Sequence, residues 1–230
     1  MNTMKKALLA ITSMLVLSGI QSAIAQLAHE GMAAKIIASR KANAALMKQY
    51  SWQSRTELKK DGKDEDIRIE QVMYGPDGQL QRTLVNDEGG KMPRGFLRKK
   101  IAEEKKADMK KYFGALRQLL DQYTLPTAGK VLDFLDEAKI QAPDGNGLLE
   151  MTGNGVVMPG DQLSLWVDAA THKTSKVQIN TFLEGDEVDA TVTFKTLTSG
   201  LTYAEFTEVN IPDKGIQLLI HNFNYFNQNN

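Results

Sequence analysis

Few residues in this chain have a type and spacing suited to covalent chemistry. The histidines are His29, His172 and His221, and none stands at a metal-ligand spacing from another. His172 falls in a turn beside Lys173, His221 alternates with Phe223 and Tyr225, and His29 lies near the start of a helical pattern. Each reads as a structural or incidental histidine. Asp64, Glu65 and Asp66 cluster in a hairpin turn and miss the calcium-loop pattern. Asp144-Gly145-Asn146-Gly147 is a turn by composition. There is no Cys, which removes disulfides, thiol catalysis and thiolate zinc sites. No Gly-x-Ser-x-Gly elbow, phosphate loop or dinucleotide fingerprint occurs. No catalytic residue, metal ligand or cofactor is nominated, and the chain is expected not to be an enzyme. Nothing singles out a carboxylate pair for glycoside chemistry, so a hydrolase of an envelope polymer is the least favoured reading.

Two features point to binding instead. Between Lys91 and Lys111, nine basic residues face three acidic ones. Arg98, Lys99, Lys100, Lys105, Lys106 and Lys110 form the part of this run expected to dock on an anionic membrane surface or an acidic envelope protein. The bland alternative is a solvated helix face with Glu–Lys pairs. Each base near an anionic membrane contributes about 1 kcal/mol, less at high salt. The second feature is an apolar strand face. Trp52, Ile67, Ile69 and Leu80 come from the first strands, and Leu165, Val167, Ile179 and Leu183 from the middle ones. Val192, Phe194, Leu218 and Ile220 complete the set. Together they are expected to line one apolar concavity, either packed full by helices or left partly open for an acyl chain.

The elements that position these residues follow from periodicity. Met32, Ile36, Ala44 and Met47 recur at helical spacings, predicting an amphipathic helix over Leu27 to Gln49. The period then drops to two. Trp52, Ser54, Thr56 and Leu58 alternate with polar neighbours, and so do Ile67, Ile69 and Met73. Gly75-Pro76-Asp77-Gly78 marks a turn before a third strand from Leu80 to Asp87. A helical insert occupies about 96–138, with one helix from Phe96 to Tyr123 and, beyond Pro126, a shorter one whose core face is Val131, Leu132, Phe134 and Leu135. Strands return at Leu148 to Thr152, Val156 to Met158 and Gln162 to Asp168. The clearest hairpin joins Thr174–Glu184 to Glu187–Leu197 through Gly185-Asp186. Strands over Leu201 to Ile211 and Gly215 to Phe226 end the pattern. Helices do not alternate with strands, so parallel βαβ winding is not expected. The expected fold is α+β: a strongly curved antiparallel sheet, an unclosed β-barrel of about ten strands, with helices covering its concave face.

The first 25 residues read as a secretory leader. Lys5-Lys6 precede an apolar run from Ala7 to about Ile20, which closes on Ala23-Ile24-Ala25. Cleavage after Ala25 leaves residues 26–230 as one domain, expected to be soluble and periplasmic. Residue 26 is Gln, so no lipid is expected on the new N-terminus. The leader holds two of the 28 basic residues and no acid, so 26 bases remain against 28 acids. That near-balance gives no pull toward nucleic acid.

The order of elements, with three sequence segments, carries a family resemblance. Leu165-Trp166-Val167-Asp168-Ala169-Ala170-Thr171, then Lys176-Val177-Gln178-Ile179 and the strand Thr191-Val192-Thr193-Phe194, give a strand, a Trp-hydrophobic-Asp step, a turn with Thr and the next strands. In this the chain resembles the periplasmic lipoprotein-carrier (LolA/LolB-like) superfamily. The resemblance implies an unclosed barrel with a helical lid over an apolar cavity. It also implies a non-catalytic carrier of an apolar ligand: an acyl chain, a lipid or a lipoprotein. Arg55, in the first strand, is the candidate for the arginine that latches the lid. The insert is more charged than the family pattern. The alternative function on the same scaffold is an envelope protein–protein interaction module whose cavity is filled by its own side chains.

Overall fold

The computed structural model describes residues 28–87 and 96–229, with the backbone alone for residues 87 and 96–106. The expected leader, residues 1–25, and the bases Lys91 and Arg94 lie outside the described residues. Helix α1 covers residues 28–47. Strands β1 (Tyr50–Lys60), β2 (Lys63–Tyr74) and β3 (Leu80–Asp87) follow, then α2 (Phe96–Gln122) and α3 (Ala128–Glu137). Seven strands complete the chain: β4 (Lys139–Ile140), β5 (Leu148–Asn154), β6 (Gln162–Asp168), β7 (Thr174–Leu183), β8 (Asp186–Thr196), β9 (Thr202–Ile211) and β10 (Ile216–Asn227).

All ten strands belong to one sheet in the order β3-β2-β1-β10-β9-β8-β7-β6-β5-β4. Every ladder is antiparallel. β3 and β4 are the free edges, so the sheet is not closed into a barrel. Register breaks at Ser51/Gln53, Leu58/Lys59, Ile69/Glu70, Trp166/Val167 and Thr193/Phe194 supply the bulges that bend strands and deepen twist. At the first of these, Asn224 takes φ 53°, a left-handed conformation that Asn tolerates, and its side chain donates to Gln53 Oε1 at 2.9 Å.

Alternation along the strands separates two faces. Leu163, Leu165 and Val167 on β6 are buried, as are Ile179, Val188, Ala190 and Val209 on the neighbouring strands. Against this face pack Ala33 and Ile36 from α1, Tyr112, Leu116, Leu119 and Tyr123 from α2, and Val131, Phe134 and Leu135 from α3. The spacing of three and four in each helix is what brings these side chains onto one stripe. α3 begins where Thr127, extended at φ −121°, accepts the Lys130 N–H on its hydroxyl at 3.2 Å. The middle of α2 is held where Tyr112 donates to Asp186 Oδ2 at 3.3 Å, with Lys214 Nζ 2.9 Å from the same oxygen and over the Tyr112 ring. Burial and Asp186 push the Tyr112 phenol up to about 12.

Three local expectations change. Val156 to Met158 is not a strand; these residues turn around Asp161, whose carboxylate accepts their backbone N–H groups. A two-residue strand, β4, closes the sheet edge instead. On α1 the buried stripe runs through Ala33 and Ile36, while Ala44 is exposed.

The contact between α3 and β5 depends on a missing side chain. A Cβ built on Gly153 would meet the Phe134 ring at 2.7 Å, too close for a carbon pair. Gly153→Ala is expected to destabilise the fold by about 1–3 kcal/mol, the usual range for overpacking a core. Urea unfolding of the two proteins checks this; equal midpoints would show that Phe134 moves freely.

Candidate ligand-binding site

A cavity of about 460 Å³ lies between the helices and the middle of the sheet. Its sheet side is apolar: Leu165, Val177, Ile179, Ala190, Val192, Phe194 and Val209 line it, with Thr207 beside them. Register explains why they meet. Val177 pairs with Val192 and Ile179 with Ala190, and these pair onward with Thr207 and Val209. Directly opposite residues share a face, so two adjacent rows cross three strands on the inner side. The helix side is supplied by Ser39, Arg40 and Asn43 from α1, and by Leu120, Asp121, Tyr123 and Thr124 at the end of α2.

The cavity has a closed end and an open one. Burial is greatest at Ile179, Ala190 and Val209 and falls toward Val177, Val192 and Phe194. Beyond Ile179 the closed end is made by Tyr123. Its hydroxyl donates to Asp161 Oδ2 at 2.7 Å and lies 2.7 Å from Thr181 Oγ1. Asp161 is 1% exposed. Its carboxylate also accepts the backbone N–H groups of Val156, Val157 and Met158 at 2.7, 2.9 and 2.8 Å. Three backbone donors converging on one carboxylate force a turn, which is why this segment does not extend into a strand. Burial alone would raise the Asp161 carboxyl. Its hydrogen bonds from Tyr123 and the three amides outweigh burial and hold it below its ordinary value. Burial and the Asp161 charge raise the Tyr123 phenol.

The open end is polar. Asn43 Nδ2 donates to Thr202 O at 2.7 Å while its Oδ1 accepts the Thr202 N–H at 2.7 Å, so one side chain satisfies both backbone groups at the start of β9. Lys173 Nζ donates to Gly200 O at 2.7 Å, two residues earlier. His172 (φ 56°) and Lys173 occupy the β6–β7 turn and line the cavity. That turn is formed by Asp168, which accepts the Thr171 hydroxyl and amide at 2.7 and 2.6 Å and the Ala170 amide at 3.2 Å. Those Thr171 bonds hold the Asp168 carboxyl below its ordinary range. Arg40, one helical turn before Asn43, donates through Nη1 to Thr124 O at 2.9 Å and Leu125 O at 3.2 Å. It also lines a shallower cleft of about 370 Å³ with Ile37 and Pro126. Burial lowers the Arg40 pKa.

The twelve residues expected to line an apolar concavity divide. Leu165, Ile179, Val192 and Phe194 line the cavity. Val167, Leu183 and Leu218 pack in or against the core without reaching it. Leu218 and Ile220 pair with Val209 and Thr207, extending the same wall by one strand. Trp52 stands elsewhere, stacked on Tyr225 at 5.5 Å and 6.3 Å from Tyr74. Ile67 and Ile69 are on the opposite face, because they pair with Glu57 and Arg55, which pair with Leu219 and His221. A one-residue offset in a strand exchanges its faces. Leu80 is 43% exposed on the edge strand. Arg55 is paired with Glu57 on this outer face; among the described residues, the arginine that bonds from one helical segment to another is Arg40. Of the basic run, Lys110 is exposed, while the side chains of Arg98, Lys99, Lys100, Lys105 and Lys106 lie outside the described residues. Sequence reasoning missed Arg40, Asn43, Tyr123 and Lys173. The available signal was Arg40 and Asn43 three residues apart on one helix face, beside the apolar stripe.

Among the described residues, no three His, Asp or Glu side chains stand together to hold a metal ion. No helix among them is long and apolar enough to cross a membrane. The molecule thus belongs to the class of α+β half-barrels with a helix-walled apolar cavity. No family model and no curated relative matches the sequence. In structure the chain is similar to a DUF1329 family protein from Desulfovibrio piger, at TM-score 0.36 and 10% identity over 86% of this chain and 91% of that one. It is also similar to a LolA superfamily protein from Nitrosomonas europaea, at TM-score 0.31 and 10% identity over 78% and 86%. A third likeness is to a Vibrio parahaemolyticus domain described as an outer membrane lipoprotein-sorting protein, at TM-score 0.36 and 11% identity over 85% and 93%.

The closed end generates a prediction. Tyr123→Phe removes one hydrogen bond to a buried carboxylate and is expected to cost about 1.5–3 kcal/mol. Asp161 titrates below its ordinary value of 3.8 when folded. Its contribution to stability is therefore complete above the unfolded pKa and lost as pH falls through the folded one. Unfolding free energies measured down the acid limb should fall more steeply for the native protein than for Asp161→Asn; parallel curves would remove Asp161 from the acid response.

Proposed function

We propose that this protein is an exported, non-catalytic carrier that shelters the acyl chain of an envelope lipid or lipoprotein between its sheet and its helices. The observation that carries the reading is the cavity itself. Its volume falls in the range of small-ligand sites, about 300–1,000 Å³, its sheet side is apolar, and one end is open. Each methylene moved from water into it gains about 0.8 kcal/mol. The leader pattern of residues 1–25 supports work in the periplasm. The basic run of α2 is the surface proposed to meet an anionic membrane during loading or release.

Native mass spectrometry of protein purified from its own compartment is expected to show bound lipid. Ala190→Phe, which projects a ring from the cavity wall, is expected to remove that lipid while the far-ultraviolet circular dichroism stays unchanged. Native protein that never carries lipid, with the cavity filled by its own side chains, would favour the interaction module. Reversing the charge at Lys99, Lys100, Lys105 and Lys106 is expected to weaken binding to phosphatidylglycerol liposomes several-fold at low salt; unchanged binding would discard the membrane contact.

A further inference from the structure

The polar part of the cavity lining carries a charge pattern that an uncharged ligand would not use. Arg40 and Lys173 both belong to that lining. They are brought to the same region by the start of β9: Lys173 binds Gly200 O, and Asn43, one turn along α1 from Arg40, binds both backbone groups of Thr202. Neither cation has a carboxylate within salt-bridge distance among the described residues. Their bonds go to backbone carbonyls, and those of Arg40 both use Nη1, so the other guanidinium N–H groups have no hydrogen-bond partner among the described residues. The carboxylate on the lining is Asp121, which is exposed and 3.8 Å from Arg117 on its own helix. Partly buried cations without a counter-ion are costly, and an anion that enters between them offsets that cost.

Volume suits the other end of the ligand to an alkyl chain. At about 30 Å³ per water-sized group, the cavity has room for roughly 15 such groups, enough for one such chain. We infer that the preferred ligand is a single-chain amphiphile with an anionic head, a carboxylate or phosphate monoester held between Arg40 and Lys173, with its tail along Val192, Ala190 and Ile179 toward Tyr123. The inference rests on the carrier reading and narrows it.

Isothermal titration of the full chain with laurate, dodecyl phosphate and dodecanol, below their aggregation concentrations, tests it. Laurate, dodecyl phosphate or both should bind at least about tenfold tighter than dodecanol, the ratio for one charge-assisted hydrogen bond; which anion leads separates carboxylate from phosphate recognition. Added salt should weaken the anions and leave dodecanol unchanged. Lys173→Met should lower anion affinity severalfold with no effect on dodecanol, and Arg40→Lys, which keeps the charge but loses the fork, should lower it less than Arg40→Gln. Equal, salt-independent affinity for all three ligands would overturn the anionic head while sparing the carrier reading. Binding of none of them would overturn both.

Discussion

The chain between β3 and β4 has one route available. These strands are the two free edges of the sheet, and the helical segment α2–α3 joins them. A sheet of ten strands at a spacing of about 4.8 Å is about 43 Å across when flat. A 27-residue helix is about 40 Å long. A connection of that length from edge to edge has to cross one face, and the apolar rows on β6 to β9 decide which. The roof over the sheet is thus a consequence of strand order: β1 pairs with β10 in the interior of the sheet, and both edges are left to the ends of the insert.

A roof fixed only by apolar contact could slide, since such contact has no direction. Here polar bonds set its position. Tyr123 at the end of α2 reaches Asp161 and Thr181, tying the insert to β7 and to the loop before β6. Three residues after that helix ends, Leu125 is buried in a left-handed conformation at φ 46°, unfavourable for a branched side chain by roughly 1–2 kcal/mol. Arg40 holds the carbonyls on either side of that strained peptide. Packing of the Leu125 side chain offsets the strain, and the sharp turn starts α3 at Thr127. The two helical layers are therefore coupled: α1 is needed to hold the α2–α3 corner, and that corner positions Tyr123.

Much of this order was legible because it follows from period and turn chemistry. The β7–β8 hairpin, the helical insert and the antiparallel, unclosed sheet can be read from alternation, Gly-Asp turns and the absence of strand–helix alternation. What was not legible depends on pairing across distance. Ile67 and Ile69 alternate as any half-buried strand would; only the partner register, Glu57 and Arg55 on β1, assigns them to the outer face. Val156 to Met158 has strand composition, and the overriding fact is a carboxylate five residues on that gathers three amides. Arg55 and Arg40 are equivalent by type. Arg55 is spent on Glu57 two residues away on its own strand, whereas the partners of Arg40 lie more than 80 residues along the chain.

The same polar bonds explain why space remains under the roof. Four of the longer polar side chains around it are held by hydrogen bonds: Arg40 by helix-end carbonyls, Asn43 by Thr202, Lys173 by Gly200 and Tyr123 by Asp161. Ala190 and Thr207 on the wall are too short to reach across. A buried Asp161 that lost Tyr123 would keep its charge with fewer donors, so collapse of Tyr123 into the cavity is opposed by the cost of an under-satisfied carboxylate. The Asn43 and Tyr123 bonds also supply direction that apolar packing lacks, tying α1 and the end of α2 to the sheet side. Satisfied polar groups thus border the void, and its sheet wall is apolar.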